Sequence, residues 1–361
     1  MQAFKRLRSS FPGFDTLVDV IEATVVQSAA SGSNCIVTHN GTFHCDEALA
    51  CGLLKVLPQF SALQVCRTRD KALIEQGFIV VDVGATFDVD TRRFDHHQNS
   101  FTETFYGGED GGADRKIKLS SAGLVYKYYG KDIIRALCPT LPADVLPVLY
   151  KKLYDGFVEE IDGVDNGVEL FTGGTRNYRI SSGLSSRVGN LQVSKAQATG
   201  LSPVDQEHEQ NERFKEATVL TTTEFCEQLQ YLVEEWLPAR IVVQAALKNV
   251  KQVHASGEIL RLDTSVPWKG HLVDLERETG VFGHTKFCLF SDGAGWRVQT
   301  IPTEEGGFDM RIPLKWKGLR DDELSTASGI SGCVFVHASG FIGGNKTYEG
   351  ALAMAVASLL Q

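Results

Sequence analysis

Three short apolar runs within the first hundred residues each end on a histidine or an aspartate. Asn34-Cys-Ile-Val-Thr-His39 breaks into polar residues and Gly41. Phe78-Ile-Val-Val-Asp82-Val-Gly84 carries one carboxylate at its tip, and Thr91-Arg-Arg-Phe-Asp95-His96-His97 brings a carboxylate and two imidazoles together. Apolar runs of this length, closed by turn residues, predict buried strands. Asp46 to Leu57 has helical spacing, with Asp46 near its N-terminus. His39, His44 and Asp46 therefore fall on the loop and helix after a strand, where open α/β sheets bind ligands. Four of the nine histidines lie in this stretch, which scattered surface histidines would not do. A single strand-end histidine is ordinarily structural; three such segments together point to a site. An aspartate at an apolar strand tip is costly unless paired, hydrogen-bonded or metal-bound. Neighbouring residues on a strand face opposite sides, so His96 and His97 take different roles, one on metal and one on a substrate phosphate. Oxygen and imidazole donors suit hard divalent cations, and paired cations hydrolyse phosphate esters.

The order His-x4-His-x-Asp, then Val-Asp-Val-Gly, then Asp-His-His resembles the DHH phosphoesterase superfamily. Longer strings resemble the melanocyte-proliferating-gene family within it: Thr38 to Leu49, Arg93 to Gln98, Glu160-Ile-Asp-Gly-Val-Asp-Asn-Gly167, Leu237-Pro-Ala-Arg240, Trp316 to Arg320 and Val336 to Asn345. The resemblance runs from about residue 34 to the C-terminus. It implies a two-metal phosphodiesterase, in this family a 3′-to-5′ exonuclease on single-stranded RNA associated with mitochondria and nucleus. His39, His44 and Asp82 would hold one cation, and Asp46, Asp82 and His96 the second, with Asp82 bridging. A fourth carboxylate would come from Asp165 first, or Asp162. Where the superfamily usually has aspartate this chain has His44, and imidazole in place of carboxylate moves the expected metal from magnesium toward manganese, or zinc. Catalytic roles fall to Asp82, to His97 as a phosphate contact, and to Asp95 as the carboxylate that orients an imidazole.

The alternation of strands near 34–38, 63–68, 78–83 and 91–95 with helices at 46–57, 70–76 and 121–137 predicts a parallel-sheet α/β domain. The apolar helical stretch 144–162 would deliver Asp162 and Asp165. The expected organisation is a tail at 1–33, a DHH-type metal-binding domain at 34–190, a polar connection without a strong period at 191–213, and a smaller α+β domain at 214–361. The active-site cleft is expected between the two domains. The second domain combines a helix at 212–236, strands near 258–263, 285–291, 295–301 and 332–337, and a closing helix at 347–360. The tail carries Lys5, Arg6 and Arg8 with no acid before Asp15, the pattern of a mitochondrial presequence or of a plain tail.

Two features of the second half could touch substrate. Ser339 to Thr347 is rich in glycine ahead of a helix, so Gly343 and Gly344 could cradle a phosphate, with His337 and Lys346 adding contacts. Arg311, Lys315, Lys317 and Arg320 surround Trp316, a combination used in single-strand grooves; a solvated strand face is the duller reading. Arg187 is a third candidate phosphate ligand. Eight cysteines are scattered without a Cys-x-x-Cys pair, as expected of reduced thiols inside a cell, and Cys45 reads as packing. The net charge of −9 disfavours wrapping a duplex and favours short contacts with a strand end. No apolar run is long enough to span a bilayer. The alternatives to an exoribonuclease are a hydrolase of small phosphate compounds, such as very short oligonucleotides or pyrophosphate, and a non-catalytic metal-binding regulatory protein. The compartment expected is intracellular: mitochondrial or nuclear by resemblance, with the cytoplasm as the alternative.

Overall fold

The computed structural model describes residues 25–26, 34–107, 117–171, 173, 178–303, 307 and 309–360. Two compact units divide between Gln230 and Tyr231. Apart from residues 25–26, the expected N-terminal tail lies outside the described residues.

The first unit is built on a six-stranded sheet. Its strands are β1 (Val25–Val26), β2 (Cys35–Thr38), β3 (Gln64–Arg67), β4 (Ile79–Val81), β5 (Phe87–Asp88) and β6 (Arg93–Phe94), arranged β1-β3-β2-β4-β6-β5. All neighbours are parallel except β5, which runs antiparallel to β6. The sheet thus begins upstream of residue 34, where the domain was expected to start. β2 and β4 are buried on both faces, as continuous apolar runs in a parallel sheet require. The chain leaves β2 toward β3 and then crosses to β4 on the other side, so the strand order reverses between β2 and β4. The carboxyl ends of those two strands are where a ligand crevice opens in such sheets.

Helix α1 (Cys45–Val56) follows β2 and is buried from Cys45 through Lys55, apolar on nearly every face as a core helix is. α2 (Lys71–Gln76) is capped by Asp70, whose side chain accepts the Ala72 and Leu73 amides. α3 (Ser121–Leu137) packs along α1, and Ser120 caps it. The expected helix at 144–162 is three consecutive pieces: α4 (Leu146–Leu153), a π-helical turn (Tyr154–Val158) and α5 (Glu159–Asp165). A π turn shifts the helix register by one residue, a distortion frequent beside functional sites.

The expected polar connection is largely helical. It follows α6 (Leu184–Gly189) and holds a single turn at Lys195–Ala198 and the start of α7 (Pro203–Tyr231). Its helical period is faint because residues 203–206 and 208 of α7 are exposed and the helix buries apolar side chains only from Phe214 onward. The expected boundary at 214 therefore falls inside α7, which belongs to the first unit.

The second unit contains α8 (Leu237–Lys248), β7 (Ile259–Leu262), α9 (Lys269–Glu278), β8 (Phe287–Ser291), β9 (Trp296–Thr300), α10 (Asp321–Ser328), β10 (Cys333–Val336), β11 (Ile342–Asn345) and α11 (Tyr348–Leu359). Its sheet runs β10-β11-β9-β8-β7, antiparallel except for the β7–β8 pair. Strand alternation divides β8 between two cores. Phe287 and Leu289 join Met354 and Ala355 of α11, while Cys288 and Phe290 join Leu272 and Leu275 of α9. Both faces are therefore covered by helices, and the fold is α/β.

Gly343 and Gly344, expected in a loop, lie instead in the interior strand β11 with neighbours on both sides. A glycine pair reads as a loop, yet in a strand it marks close approach by a neighbour. A Cβ on Gly344 would stand 2.5 Å from the Arg297 guanidinium, and one on Gly343 would stand 3.0 Å from the Phe335 carbonyl oxygen. The expected phosphate cradle is not formed at these residues.

Candidate metal centre

The carboxyl ends of β2, β4 and β6 and the N-terminus of α1 bring the expected donors together. His39 follows β2, and its Nε2 lies 3.2 Å from Asp82 Oδ2 and 3.0 Å from Glu47 Oε1. Asp82 follows β4 with a φ of 58°, a left-handed conformation that aspartate tolerates better than most residues. Its other oxygen receives the Ser121 hydroxyl at 3.1 Å and lies 3.5 Å from His96 Nε2. His96 Nε2 is also 3.1 Å from Asp165 Oδ2, at the C-terminal end of α5. His44 and Asp46 open α1, and donor atoms of His44, Asp46 and Asp165 lie within 4.8 Å of one another. His39, His44, Glu47 and Asp82 form another such group, and Asp82, His96 and His97 a third. Phe43 to Asp46, Asp82, His96, His97 and Asp165 line a cavity of about 520 Å³. All its walls belong to the first unit.

Charge in this cluster is unbalanced. Asp46 is fully buried, and neither of its oxygens has a hydrogen-bond partner. Burial, and then the carboxylates of Asp82, Asp165 and Glu47, hold its carboxyl well above the usual range. Burial works against protonation of His39, yet Asp82 and Glu47 push it up to about 10; His96 is pushed to about 10 by Asp165 and Asp82 against the same desolvation. Burial would raise Asp82, but hydrogen bonds from His39 and His96 bring it below the ordinary carboxylate range. Buried carboxylates that draw protons onto their imidazole neighbours lack positive charge. Divalent cations could supply it, and the mixed oxygen and imidazole donors fit manganese, magnesium or zinc.

His97 stands apart from His96 in role. Its side chain is 60% exposed, and its Nδ1 lies 2.7 Å from Asp95 Oδ1. Asp95 is buried and also accepts the backbone amides of His97 and Ala85. Asp95 therefore holds the ring and contributes no donor to the three groups.

Asp162 is turned away. Its oxygens accept the Ser120 amide at 2.9 Å, the Ser120 hydroxyl at 2.7 Å and the Tyr154 hydroxyl at 2.9 Å. Burial still raises its carboxyl to about 7. Three residues apart on α5, Asp162 faces α3 and Asp165 faces the cavity, so Asp165 is the fourth carboxylate of the cluster. Glu47, by contrast, was not expected. The available signal was an acid one residue after Asp46, opening a helix that is apolar thereafter.

Cys45 is buried, and burial raises its thiol to about 12, consistent with packing. Arg187 forms a two-toothed ion pair with Glu224, one contact at 2.6 Å, which engages both Nη atoms and leaves Nε without a partner. In the second unit, Arg320, His337 and Lys346 are exposed. His337 Nδ1 sits 2.9 Å from the Ser339 hydroxyl. Arg311 is buried against Glu276 at 2.7 Å, and Trp316 packs on the core, so the expected run of surface cations around an aromatic is broken at both.

With this geometry in place, comparison with known proteins is direct. The model of the MYG1_exonuc family, described as Uncharacterised protein family (UPF0160), matches residues 35–359. The chain belongs to this family. Among its MYG1 relatives, the MYG1 protein of Dictyostelium discoideum is 48% identical over 330 residues, covering 90% of this chain and 96% of its own. The MYG1 exonuclease of Homo sapiens is 46% identical over 331 residues, covering 90% and 86%. The MYG1 exonuclease of Bos taurus is also 46% identical, covering 90% and 84%. The structure of RecJ in complex with Mn2+ from Thermus thermophilus aligns with 97% of this chain and 55% of its own at 13% identity, with a TM-score of 0.24. So low a score carries no argument. No helix of the described residues is long and apolar enough to cross a membrane.

Proposed function

We propose that this chain is a metal-dependent phosphodiesterase that removes nucleotides from the 3′ end of single-stranded RNA, using two divalent cations with manganese first among them. The observation that carries the reading is Asp46: a fully buried carboxylate with no protein partner, among Asp82, Asp165 and three histidines, on the wall of an open cavity. The relatives named MYG1 exonuclease support the activity. The RNA substrate, the 3′-to-5′ direction, and placement in mitochondria and nucleus are what the motif resemblance to the melanocyte-proliferating-gene family implies.

His39, His44 and Asp82 would hold one cation, and Asp46, Asp82, His96 and Asp165 the other. Bound there, the cations would polarise a phosphoryl oxygen and lower the pKa of the attacking water. The protein's own contribution is positioning. Ser121 holds one oxygen of Asp82, and Asp95 holds Nδ1 of His97, leaving the outer nitrogen of that exposed ring for a phosphate oxygen. A cavity of about 520 Å³ is in the range of small-ligand pockets. It suits one strand end rather than a duplex.

The test is hydrolysis of RNA and DNA labelled at the 5′ end, with manganese, magnesium or zinc, beside Asp46→Asn. A ladder shortening from the 3′ end of RNA, absent in Asp46→Asn, is expected. Cleavage confined to di- and trinucleotides or pyrophosphate would favour a small-substrate hydrolase. Metal binding without turnover of any of these would overturn the proposal.

A further inference from the structure

Glu47 is the residue of this site that the motif comparison leaves without a role. It sits at the third position of α1, and its Oε1 accepts the His44 backbone amide at 2.8 Å. Glutamate at this position commonly does just that in a capping box. Capping explains one oxygen and no more. Glu47 is fully buried, its Oε2 has no hydrogen-bond partner, and its Oε1 also stands 3.0 Å from His39 Nε2. A cap placed in solvent would leave the second oxygen to water; this one is sealed in the core beside an imidazole.

The spacing of the donors adds a second argument. Donors bound at about 2.1 Å and at right angles around one ion lie about 3 Å apart. His39 Nε2 is 3.0 Å from Glu47 and 3.2 Å from Asp82, and donor atoms of these three and His44 all fall within 4.8 Å of one another. The Nδ1 atom of His39 lies 3.1 Å from the Asn40 carbonyl and 3.2 Å from Arg69 Nη2; with the ring proton directed at Asn40, Nε2 is left free for a metal. Charge points the same way. The position between His39 and His44 has two neutral imidazoles and only a share of Asp82, whereas the position at Asp46 and Asp165 has two carboxylates besides Asp82.

We infer that Glu47 ligates the first cation together with His39, His44 and Asp82, supplying the unshared negative charge that this imidazole-rich position otherwise lacks. This rests on the two-metal reading above and adds to it a residue to which the motif resemblance assigns no role. The substitution that separates ligation from capping is Glu47→Gln, because glutamine can still accept the His44 amide but is neutral and a poor cation ligand. Calorimetric titration of the chelator-treated full chain with Mn2+ alone should show two sites in the wild type. In Glu47→Gln one site should weaken by tenfold or more, while the melting temperature in chelator stays within a few degrees of wild type. Crystals grown with Mn2+ provide the direct reading: an anomalous peak with a Glu47 oxygen at about 2.2 Å. Two unchanged sites in Glu47→Gln, or a peak flanked by His39 and Asp82 with Glu47 beyond about 3 Å, would overturn the inference. Absence of any Mn2+ binding in the wild type would instead sink the two-metal reading itself.

Discussion

Asp46 and Asp162 are both wholly buried carboxylates, and their surroundings give them opposite fates. Asp162 has three donors, so it is a structural acid. Asp46 has none, and other acids surround it. Asp46→Asn should lower hydrolysis by roughly a hundredfold or more while leaving the melting temperature in chelator equal or higher, because the change removes a buried like charge. A clear fall in melting temperature would mark Asp46 as structural. For Asp162 the prediction concerns pH. Its carboxyl ordinarily titrates near 3.8 but in the fold at about 7. Between those values the folded chain keeps a proton that the unfolded chain has lost, so this group's contribution to stability falls as pH rises. Asp162→Asn lacks that dependence. The stability gap between wild type and Asp162→Asn should therefore narrow from pH 4 to pH 7, by at most about 1.4 kcal/mol per pH unit. Urea titrations of both proteins across that range would show it, and a constant gap would refute it.

At the scale of elements, the packing of α1 determines whether the donors converge. α1 carries His44, Asp46 and Glu47 at its start, and α7 crosses it at Gly52. A Cβ on Gly52 would fall 1.8 Å from the Thr222 hydroxyl oxygen, so the two helices touch without room for a methyl group. Alanine favours an isolated helix by about 1 kcal/mol over glycine, and here overpacking should reverse that sign. Gly52→Ala should lose about 1–3 kcal/mol in chemical denaturation, and pairing it with Thr222→Ala should restore part of the loss. Stabilisation by Gly52→Ala alone would contradict the close crossing. The polar first turns of α7 concealed its start in the sequence, where the helix was expected only from 212, because only its second half carries an apolar face. The glycine pair of β11 misled in the opposite direction: its lack of side chains, which serves Arg297 and Phe335, looks the same as a loop.

Over the whole molecule, the three groups of donors that could hold a cation lie within the first unit, and that unit should respond to cations. Saturating Mn2+ at a hundred times its dissociation constant should stabilise it by about 2.7 kcal/mol. Hydrogen exchange should register this protection in β2, β4, α1 and α5, and leave β8 and β9 unchanged. Uniform protection of both sheets, or none, would disagree. What the amino-acid order determined unaided was the set of strands with His39, Asp82 and His96 at their ends, and with them a donor set that could hold a metal. Apolar runs closed by turn residues are local signals, and the donors sit at fixed offsets from them. Which of Asp162 and Asp165 faces the cavity, the approach of Glu47 to His39 and the burial of the Arg311 side chain were decided only by the fold. Each depends on which side of a helix or strand meets a partner distant in sequence, and no local pattern encodes that meeting.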